Sequence, residues 1–412
     1  MRCWMKSKEG GTVRPLSTKK DWQAIEKKVF MQVFKRIPVT LVRGKGTKVW
    51  DDEGREYLDF VAGLAVVSLG HCHPVLVKAL NKQAKTLTQT SNIYYTIPQL
   101  QLCELLVKTS CLDRAFIANS GTEAVEGAIK LARRYGKVKL DGAYEIITVA
   151  NSFHGRTLAA TAATAQLSFQ EPFTPLPSGF INAAFNDIEA IKAATTKLTC
   201  AVMLEPIQGE GGVNVPDDDY LKKVRAWCDE EGLLLILDEI QTGIGRTGTM
   251  YAYEQYGVEP DIMTVAKGMG SGIPIGAFLA KEGACVFKPG EHGSTYGGNP
   301  LMCAAAFAVL EYIVKNDIPA HAAKMGQYLC DGLNRLAQKY NVITEVRGKG
   351  LLLAMKFREE IAEPVGMACL ERGLLVNRVK PDALRFMPPL TVSPKEIDKA
   401  LDILDSVLKE RQ

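Results

Sequence analysis

Between residues 145 and 265, short apolar runs rich in β-formers alternate with stretches of helical periodicity. No other feature restricts the fold as much. Glu145–Val149, Ala201–Leu204, Leu233–Leu237 and Ile262–Val265 are apolar nearly throughout, as expected of strands buried on both faces of a mainly parallel sheet. The segment Tyr220–Glu231 places Leu221, Val224, Trp227 and Cys228 on one helical face, and Gly232 stands where such a helix would stop. Strand and helix in alternation predict an α/β fold with helices on both faces of the sheet. After about residue 300 the pattern changes. Leu301–Val314 predicts a long apolar helix, and Val346–Phe357 and Leu384–Phe386 predict strands of a smaller sheet. The expected organisation is a large domain over 65–300 and a smaller α/β domain built from 1–64 and 301–412.

Composition narrows the class of function. The 412 residues are 47% hydrophobic and 23% charged, with a formal net charge of +4. That near-balance, with basic residues scattered, calls for neither nucleic acid nor an anionic membrane as partner. The apolar runs are too short to span a bilayer. The ten cysteines include no C-x-x-C pair, which fits reduced thiols in a cytoplasmic enzyme. The basic segment 1–20 lacks the apolar stretch of a signal peptide and reads as a tail.

Three features carry chemistry. The first is Asn119-Ser120-Gly121-Thr122-Glu123, a capping-box pattern that opens a helix with Ala124, Val125, Ala128, Ile129 and Ala132 as its apolar stripe. Free N–H groups at such a start suit a phosphate, although a plain cap is the better explanation of the pattern when it stands alone. The second is Asp238-Glu239, closing the strand Leu233–Leu237. A carboxylate there stands at the crevice where α/β proteins bind ligands; a salt bridge is the plainer alternative. The third is Lys267, between Thr264-Val265-Ala266 and the glycine-rich Gly268-Met269-Gly270-Ser271-Gly272. Most lysines are solvated surface charges, but these flanks are not a surface context, and burial makes a lysine amine nucleophilic. Together the three supply what pyridoxal 5'-phosphate needs: a lysine for a Schiff base, a carboxylate for the pyridine nitrogen and a phosphate cradle.

Seven motifs in order then resemble the class III aminotransferases: NSGTEAVEGAIKLAR from Asn119, SFHGRT from Ser152, EPIQGEGG from Glu205, LDEIQTGIGRTG from Leu237, PDIMTVAKGMGSGIPIGA from Pro260, HGSTYGGNP from His292 and RGKGLL from Arg347. The resemblance runs from about Val42 to the C-terminus, and within the family it is nearest the branch acting on acylated ornithine. It implies the type I aminotransferase fold and a homodimer with shared active sites. It implies further that Gly121 and Thr122 bind the cofactor phosphate, that Phe153 stacks on the ring, and that Asp238 pairs with the ring nitrogen. Gln241 would contact the ring hydroxyl, Lys267 would be the Schiff-base lysine, and Thr295 would reach the phosphate in the neighbouring subunit. Arg156 and Ser294 would contact substrate. Arg385 would bind the α-carboxylate of glutamate, and Glu210 would neutralise Arg385 when no such carboxylate is present.

The implied reaction moves the δ-amino group of N-acetylornithine to 2-oxoglutarate in a ping-pong scheme. Relatives acting on free ornithine carry a tyrosine where this chain has Leu64, which points to a donor with a blocked α-amine. Succinylornithine, ornithine, 4-aminobutyrate and a lysine-pathway intermediate remain alternative donors. An isomerase of the same family, or a non-catalytic relative that keeps the fold, are the rivals of other kinds. No metal is expected: His71-Cys72-His73 reads as a loop before a helix, and Gly-Lys-Gly at 44–46 and 348–350 as turns. His154 is expected to make a structural hydrogen bond.

Overall fold

The computed structural model describes residues 21–411; the basic segment read as a tail lies outside them. Its centre is a seven-stranded sheet in the order Arg114–Ala118, Gly276–Ala280, Ile262–Val265, Leu234–Asp238, Thr199–Leu204, Glu145–Val149, Phe180–Ala183. Gly276–Ala280 runs antiparallel to both its neighbours, and the other adjacent pairs are parallel. The remaining strands therefore all point one way and deliver their carboxyl ends to one edge.

Alternation along each strand divides the core. Ile146, Ala201, Met203, Leu234, Ile236 and Ile262 face one side, where they meet Val125, Ala128, Ile129 and Ala132 of the helix Gly121–Lys139. Ile147, Val202, Leu204, Leu235, Leu237, Met263 and Val265 face the other, against Leu221, Val224 and Cys228 of Tyr220–Glu231 and Val309, Leu310 and Ile313 of Pro300–Lys315. Both faces are covered, which is why these strands read as unbroken apolar runs. Gly232 ends the helix Tyr220–Glu231 in the left-handed conformation, φ 67°, as its position suggested.

Two smaller sheets flank this one. Leu41–Lys45, Lys48–Asp51 and Glu56–Asp59 form a meander, and Leu374–Leu375 adds to it in parallel from late in the chain. Ile343–Lys349, Leu352–Phe357, Ala383–Phe386 and Asn377–Lys380 form an antiparallel sheet. Here the structure corrects the expectation of one strand over 346–357. The chain reverses at Gly350, φ 54°, and two strands pair across that turn. Among the described residues no helix is long and apolar enough to cross a membrane.

Candidate active site

The carboxyl edge of the large sheet opens onto a cavity of about 540 Å³. Consecutive strands supply its walls from the residues that follow them. Asn119 to Thr122 come after Arg114–Ala118, Phe153 to Arg156 after Glu145–Val149, Glu205 and Glu210 after Thr199–Leu204, Asp238 with Gln241 from Leu234–Asp238, and Lys267 after Ile262–Val265. A crevice at strand ends is where α/β folds concentrate ligand chemistry.

At one end stands the helix Gly121–Lys139. The Ser120 side chain accepts from the N–H of Glu123 at 3.3 Å, but the expected reciprocal bond is displaced by one residue. Glu123 Oε2 accepts from the backbone N–H and side-chain amide of Asn119, at 2.6 and 2.9 Å. The N–H groups of Gly121 and Thr122 have no acceptor among the described residues. With the positive end of the helix dipole behind them, they suit an anion. A Cβ on Gly121 would come within 2.9 Å of Ile240 Cδ1, so a side chain there would push the tip of Ile240 aside.

At the other end Asp238, nearly buried, is held on three sides. Its Oδ1 accepts from Thr264 Oγ1 at 2.9 Å and from the N–H of Ile240 at 3.1 Å. Its Oδ2 lies 2.7 Å from His154 Nδ1, with the imidazole N–H donating. His154 therefore makes the structural bond expected of it, and makes it to the carboxylate on the cavity wall.

Lys267 follows the next strand and sits at φ 38°. A left-handed conformation costs a non-glycine residue about 1–3 kcal/mol and tends to persist where function requires it. Burial lowers the pKa of its amine; Glu210, Glu205 and Asp238 oppose that shift and Arg385 adds to it. The lysine thus carries more of the neutral, nucleophilic form than a surface lysine would.

Arg385 lies on the strand Ala383–Phe386 of the C-terminal sheet and its side chain is fully buried. Its Nη1 is 2.9 Å from Glu210 Oε1 and donates to Gln241 Oε1 at 2.9 Å. Nε and Nη2 donate to Asn377 Oδ1 at 3.2 and 2.7 Å, and Asn377 is its register partner on the adjacent strand. Gln241 also donates to Glu210 at 3.1 Å. Burial pushes the Glu210 carboxyl up, but Arg385, Lys267 and the Gln241 amide outweigh it and hold the carboxyl at about 2. Gln241, expected against a ring hydroxyl, is here the bridge between Arg385 and Glu210.

Arg156 is exposed at the mouth, its guanidinium 5.4 Å from the Phe153 ring centre and 4.2 Å from that of Phe169. Ser294 and Thr295 do not line the cavity. Ser294 Oγ accepts from Asn119 at 3.2 Å, one residue removed from it, and Thr295 is exposed with its carbonyl accepting from Gln89. Leu64 also stands off, in a run of four left-handed residues, Ala62 to Ala65; Val66 lines the wall instead.

Two residues of the site escaped the sequence reading. Glu205 is buried on the cavity wall, and burial raises its carboxyl to about 7. It ends an apolar run just as Asp238 does, and that signal could have found it. Asn377 gave no signal, because only strand pairing brings it to Arg385. Among the described residues no cluster of His, Cys, Asp and Glu could hold a metal. His71 is taken up by Asp59 at 2.7 Å, and His73 packs on Tyr312.

The chain can now be set beside known proteins. The model of the family "Aminotransferase class-III" matches residues 30–408. An acetylornithine aminotransferase of Caldanaerobacter subterraneus subsp. tengcongensis is 53% identical over 93% of this chain and 98% of that protein. One of Methanocaldococcus jannaschii is 50% identical over 95% and 99%. Among solved structures, an ornithine aminotransferase of Toxoplasma gondii superposes with TM-score 0.92 at 35% identity, covering 96% of this chain and 97% of that one. An acetylornithine aminotransferase of Elizabethkingia anophelis gives 0.85 at 34%, covering 94% and 98%. Such a match, over nearly the full length of both partners and with the type I fold in common, means that this chain belongs to the class III aminotransferases.

Proposed function

We propose that the protein transfers the terminal amino group of N-acetylornithine to 2-oxoglutarate, giving N-acetylglutamate 5-semialdehyde and glutamate, a step of arginine biosynthesis. Relatives at about half identity that carry the acetylornithine name support this donor. The observation that carries the reading is the ion pair between fully buried Arg385 and half-buried Glu210, whose carboxylate lines the cavity. A donor reacting through its terminal amine brings no carboxylate close to the reacting atoms, whereas glutamate does. A fixed arginine would suit only one of them, and an arginine with its own releasable carboxylate suits both.

The family works with pyridoxal 5'-phosphate, and the residues present fit it. The free N–H groups of Gly121 and Thr122 would take its phosphate, the Phe153 ring would cover one face, Asp238 would hold its ring nitrogen and Lys267 its aldehyde carbon. When bound, the cofactor supplies an electron sink for the carbanion formed on the amino donor. The chain does the rest. Asp238, locked by His154 and Thr264, keeps a proton on the ring nitrogen. The Lys267 amine, its pKa lowered by burial so that more of it is neutral, moves a proton at the reacting carbon. Arg156 at the mouth takes the distant carboxylate of either substrate, and Ser294, hydrogen-bonded to Asn119 of the cavity wall, is the second proposed substrate contact.

The same reading divides the chain into a cofactor-binding domain of 65–300 and a smaller one of 1–64 and 301–412. It makes the active unit a homodimer in which Thr295 completes the phosphate site of the neighbouring subunit. The exposure of Thr295 beside bare Tyr296, Tyr94 and Tyr95 supports that arrangement. The nine cysteines among the described residues are free thiols, which supports the cytoplasm as its compartment.

The test is spectroscopic. Visible absorption of the purified holoenzyme should be bleached by N-acetylornithine and restored by 2-oxoglutarate. A panel of donors, with succinylornithine, ornithine and 4-aminobutyrate beside N-acetylornithine, decides the substrate. A higher kcat/KM for any of the other three would overturn the assignment.

A further inference from the structure

Glu205 is the one buried carboxylate on the cavity wall to which the reaction gives no task. It follows the strand Thr199–Leu204, and since Leu204 pairs with Leu237, it stands level with Asp238 on the neighbouring strand. It does not duplicate Asp238. Its Oε1 accepts from the N–H of Phe153 at 3.0 Å, and its Oε2 accepts from the N–H of Gly209 at 3.0 Å. One carboxylate thus fastens two separate loops, each through a backbone group. The first carries Phe153 and, next to it, His154, the partner of Asp238. The second carries Glu210, the partner of Arg385. The first bond is long-range, since Phe153 lies 52 residues away; the second closes the short turn from Glu205 to Gly209 at the start of a glycine-rich loop. A Cβ on Gly209 would collide with the Gln241 side chain, so that loop is packed directly on the residue that bridges Arg385 and Glu210.

We propose that Glu205 is a positioning residue that ties the Phe153 wall to the Glu210 loop, so that a single carboxylate sets both the ring-covering face and the ion pair on Arg385. The proposal rests on the reading of Glu210 and Arg385 as a releasable pair. Removal of the tie should then act on the two half-reactions unequally, although Glu205 touches neither Arg385 nor Glu210. With the Gly209 N–H released, Glu210 is held less firmly. Arg385 then spends more time unneutralised when the donor is N-acetylornithine, and is freer when the substrate is glutamate.

Protonation gives the tie a signature. A neutral carboxyl turns one acceptor oxygen into an O–H and can no longer receive both N–H groups equally well. Burial raises Glu205 towards neutrality, His154 nearby lowers it again, and Asp238 raises it further; Lys267 is the other charged group that senses it. The bond should therefore loosen within the range where most enzymes are assayed.

The experiment compares full-length holoenzyme of wild type, Glu205→Gln and Glu205→Ala by amide hydrogen exchange and by single-turnover rates. Glu205→Gln keeps the volume and one acceptor oxygen, so it guards against a simple failure to fold. In Glu205→Ala, exchange around Phe153 and over 208–214 should both quicken by about tenfold or more while the rest of the large sheet stays protected. In Glu205→Gln only one of the two segments should quicken. In wild type, exchange of one segment, corrected for its intrinsic pH dependence, should quicken between about pH 8 and about pH 6, and in Glu205→Gln this dependence should vanish. The N-acetylornithine half-reaction should lose more than the glutamate half-reaction in Glu205→Ala, and in Glu205→Gln when the segment that quickens is 208–214. Unchanged exchange in both segments of Glu205→Ala would overturn the tie. Quickened exchange with equal losses in the two half-reactions would uphold the tie and instead sink the releasable pair.

Discussion

At the scale of single residues, the site holds some charges in fixed pairs and leaves others without a partner. The Lys267 amine has no hydrogen-bond or ion-pair partner among the described residues, and the residue lines the cavity. Lys267→Ala should therefore abolish steady turnover while the thermal unfolding midpoint stays near wild type; near-normal turnover would remove the lysine from the chemistry. The pair of Arg385 and Glu210 makes a sharper prediction. Leaving a buried charge without its partner costs about 3–5 kcal/mol. Gln241 and Asn377 still hold Arg385, so the cost should be smaller than that. Glu210→Ala should slow the N-acetylornithine half-reaction more than the glutamate one, and Arg385→Ala should do the reverse. Stopped-flow rates for each half-reaction decide it, and equal losses in both variants would reduce the pair to a structural salt bridge. Lys267 and Glu210 were legible in the sequence because each belongs to a quoted motif, and Arg385 because of the family resemblance of its segment. Their second partners were not. His154 with Asp238, Asn377 with Arg385 and Glu205 with Phe153 come together only through strand register or loop packing, which one chain's spacing does not encode. Leu64 fails for a related reason. A left-handed turn of four residues turns the next side chains toward the cavity, and only one of the four, Gly63, is of a kind that announces such a turn.

At the scale of elements, the helix Gly121–Lys139 links the site to the core. Its first turn presents the N–H groups that suit a phosphate, and its far end packs against the sheet. Near that end Gly136 is buried, and a Cβ there would run into the Ala143 carbonyl oxygen and come within 2.8 Å of Cys200 Cβ. The obstacle is backbone, so it cannot swing aside. Gly136→Ala should lower stability by about 1–3 kcal/mol, the usual cost of overpacking, despite alanine's better helix propensity. Because the helix would have to shift as one rod, cofactor affinity should fall with it. Urea unfolding and a cofactor titration measure the two, and a variant as stable as wild type would show that the helix can move freely. The central strands and this helix were readable because burial on both faces leaves continuous apolar runs, and because a stripe of alanines marks a closely packed helix. The hairpin at Gly350 was not, since Leu351 and Leu352 carry the apolar run straight through the turn.

At the scale of the whole molecule, two kinds of surface remain to be explained, one inside and one outside. Inside, Glu239 is fully buried, with Oε1 accepting from the N–H of Tyr253 at 2.8 Å, and burial raises its carboxyl from 4.5 to about 7. In the unfolded chain it would ionise near its ordinary value. Between those two values the folded state binds the extra proton, so this group's contribution to stability is complete below 4.5 and is lost as pH rises through about 7. The difference in unfolding free energy between wild type and Glu239→Gln should thus move in the variant's favour from about pH 5 to about pH 7; a difference independent of pH would mean that Glu239 is charged throughout.

Outside, the segment around Tyr95 leaves large apolar side chains bare: Ile93, Tyr94 and Ile97 are 79%, 64% and 73% exposed, and Tyr95 is 94% exposed. Solvation alone does not explain such a cluster, because a monomer seldom leaves a contiguous apolar patch of this kind uncovered. The patch is also not loosely attached. Asn92 donates to the carbonyls of Ser294 and Gly297, both at 2.9 Å, and Gln89 donates to that of Thr295. The segment and the loop of Ser294 and Thr295 therefore form one rigid surface with Tyr296 on its rim. If a second copy covers that surface, the loop is pressed toward the partner's cavity at the same moment, and completion of the site becomes inseparable from dimerisation. Tyr95→Asp places an unpaired charge at the centre of the patch, where burial would cost several kcal/mol. It should give a monomer in sedimentation at concentrations where wild type is dimeric. It should weaken cofactor binding although Tyr95 lines no part of its own chain's cavity. Thr295→Ala should weaken cofactor binding too, but leave the dimer intact. The two variants separate the scaffold from the contact: one loses assembly and affinity together, the other affinity alone. A monomeric Tyr95→Asp with undiminished cofactor affinity and activity would show that each chain carries a complete site.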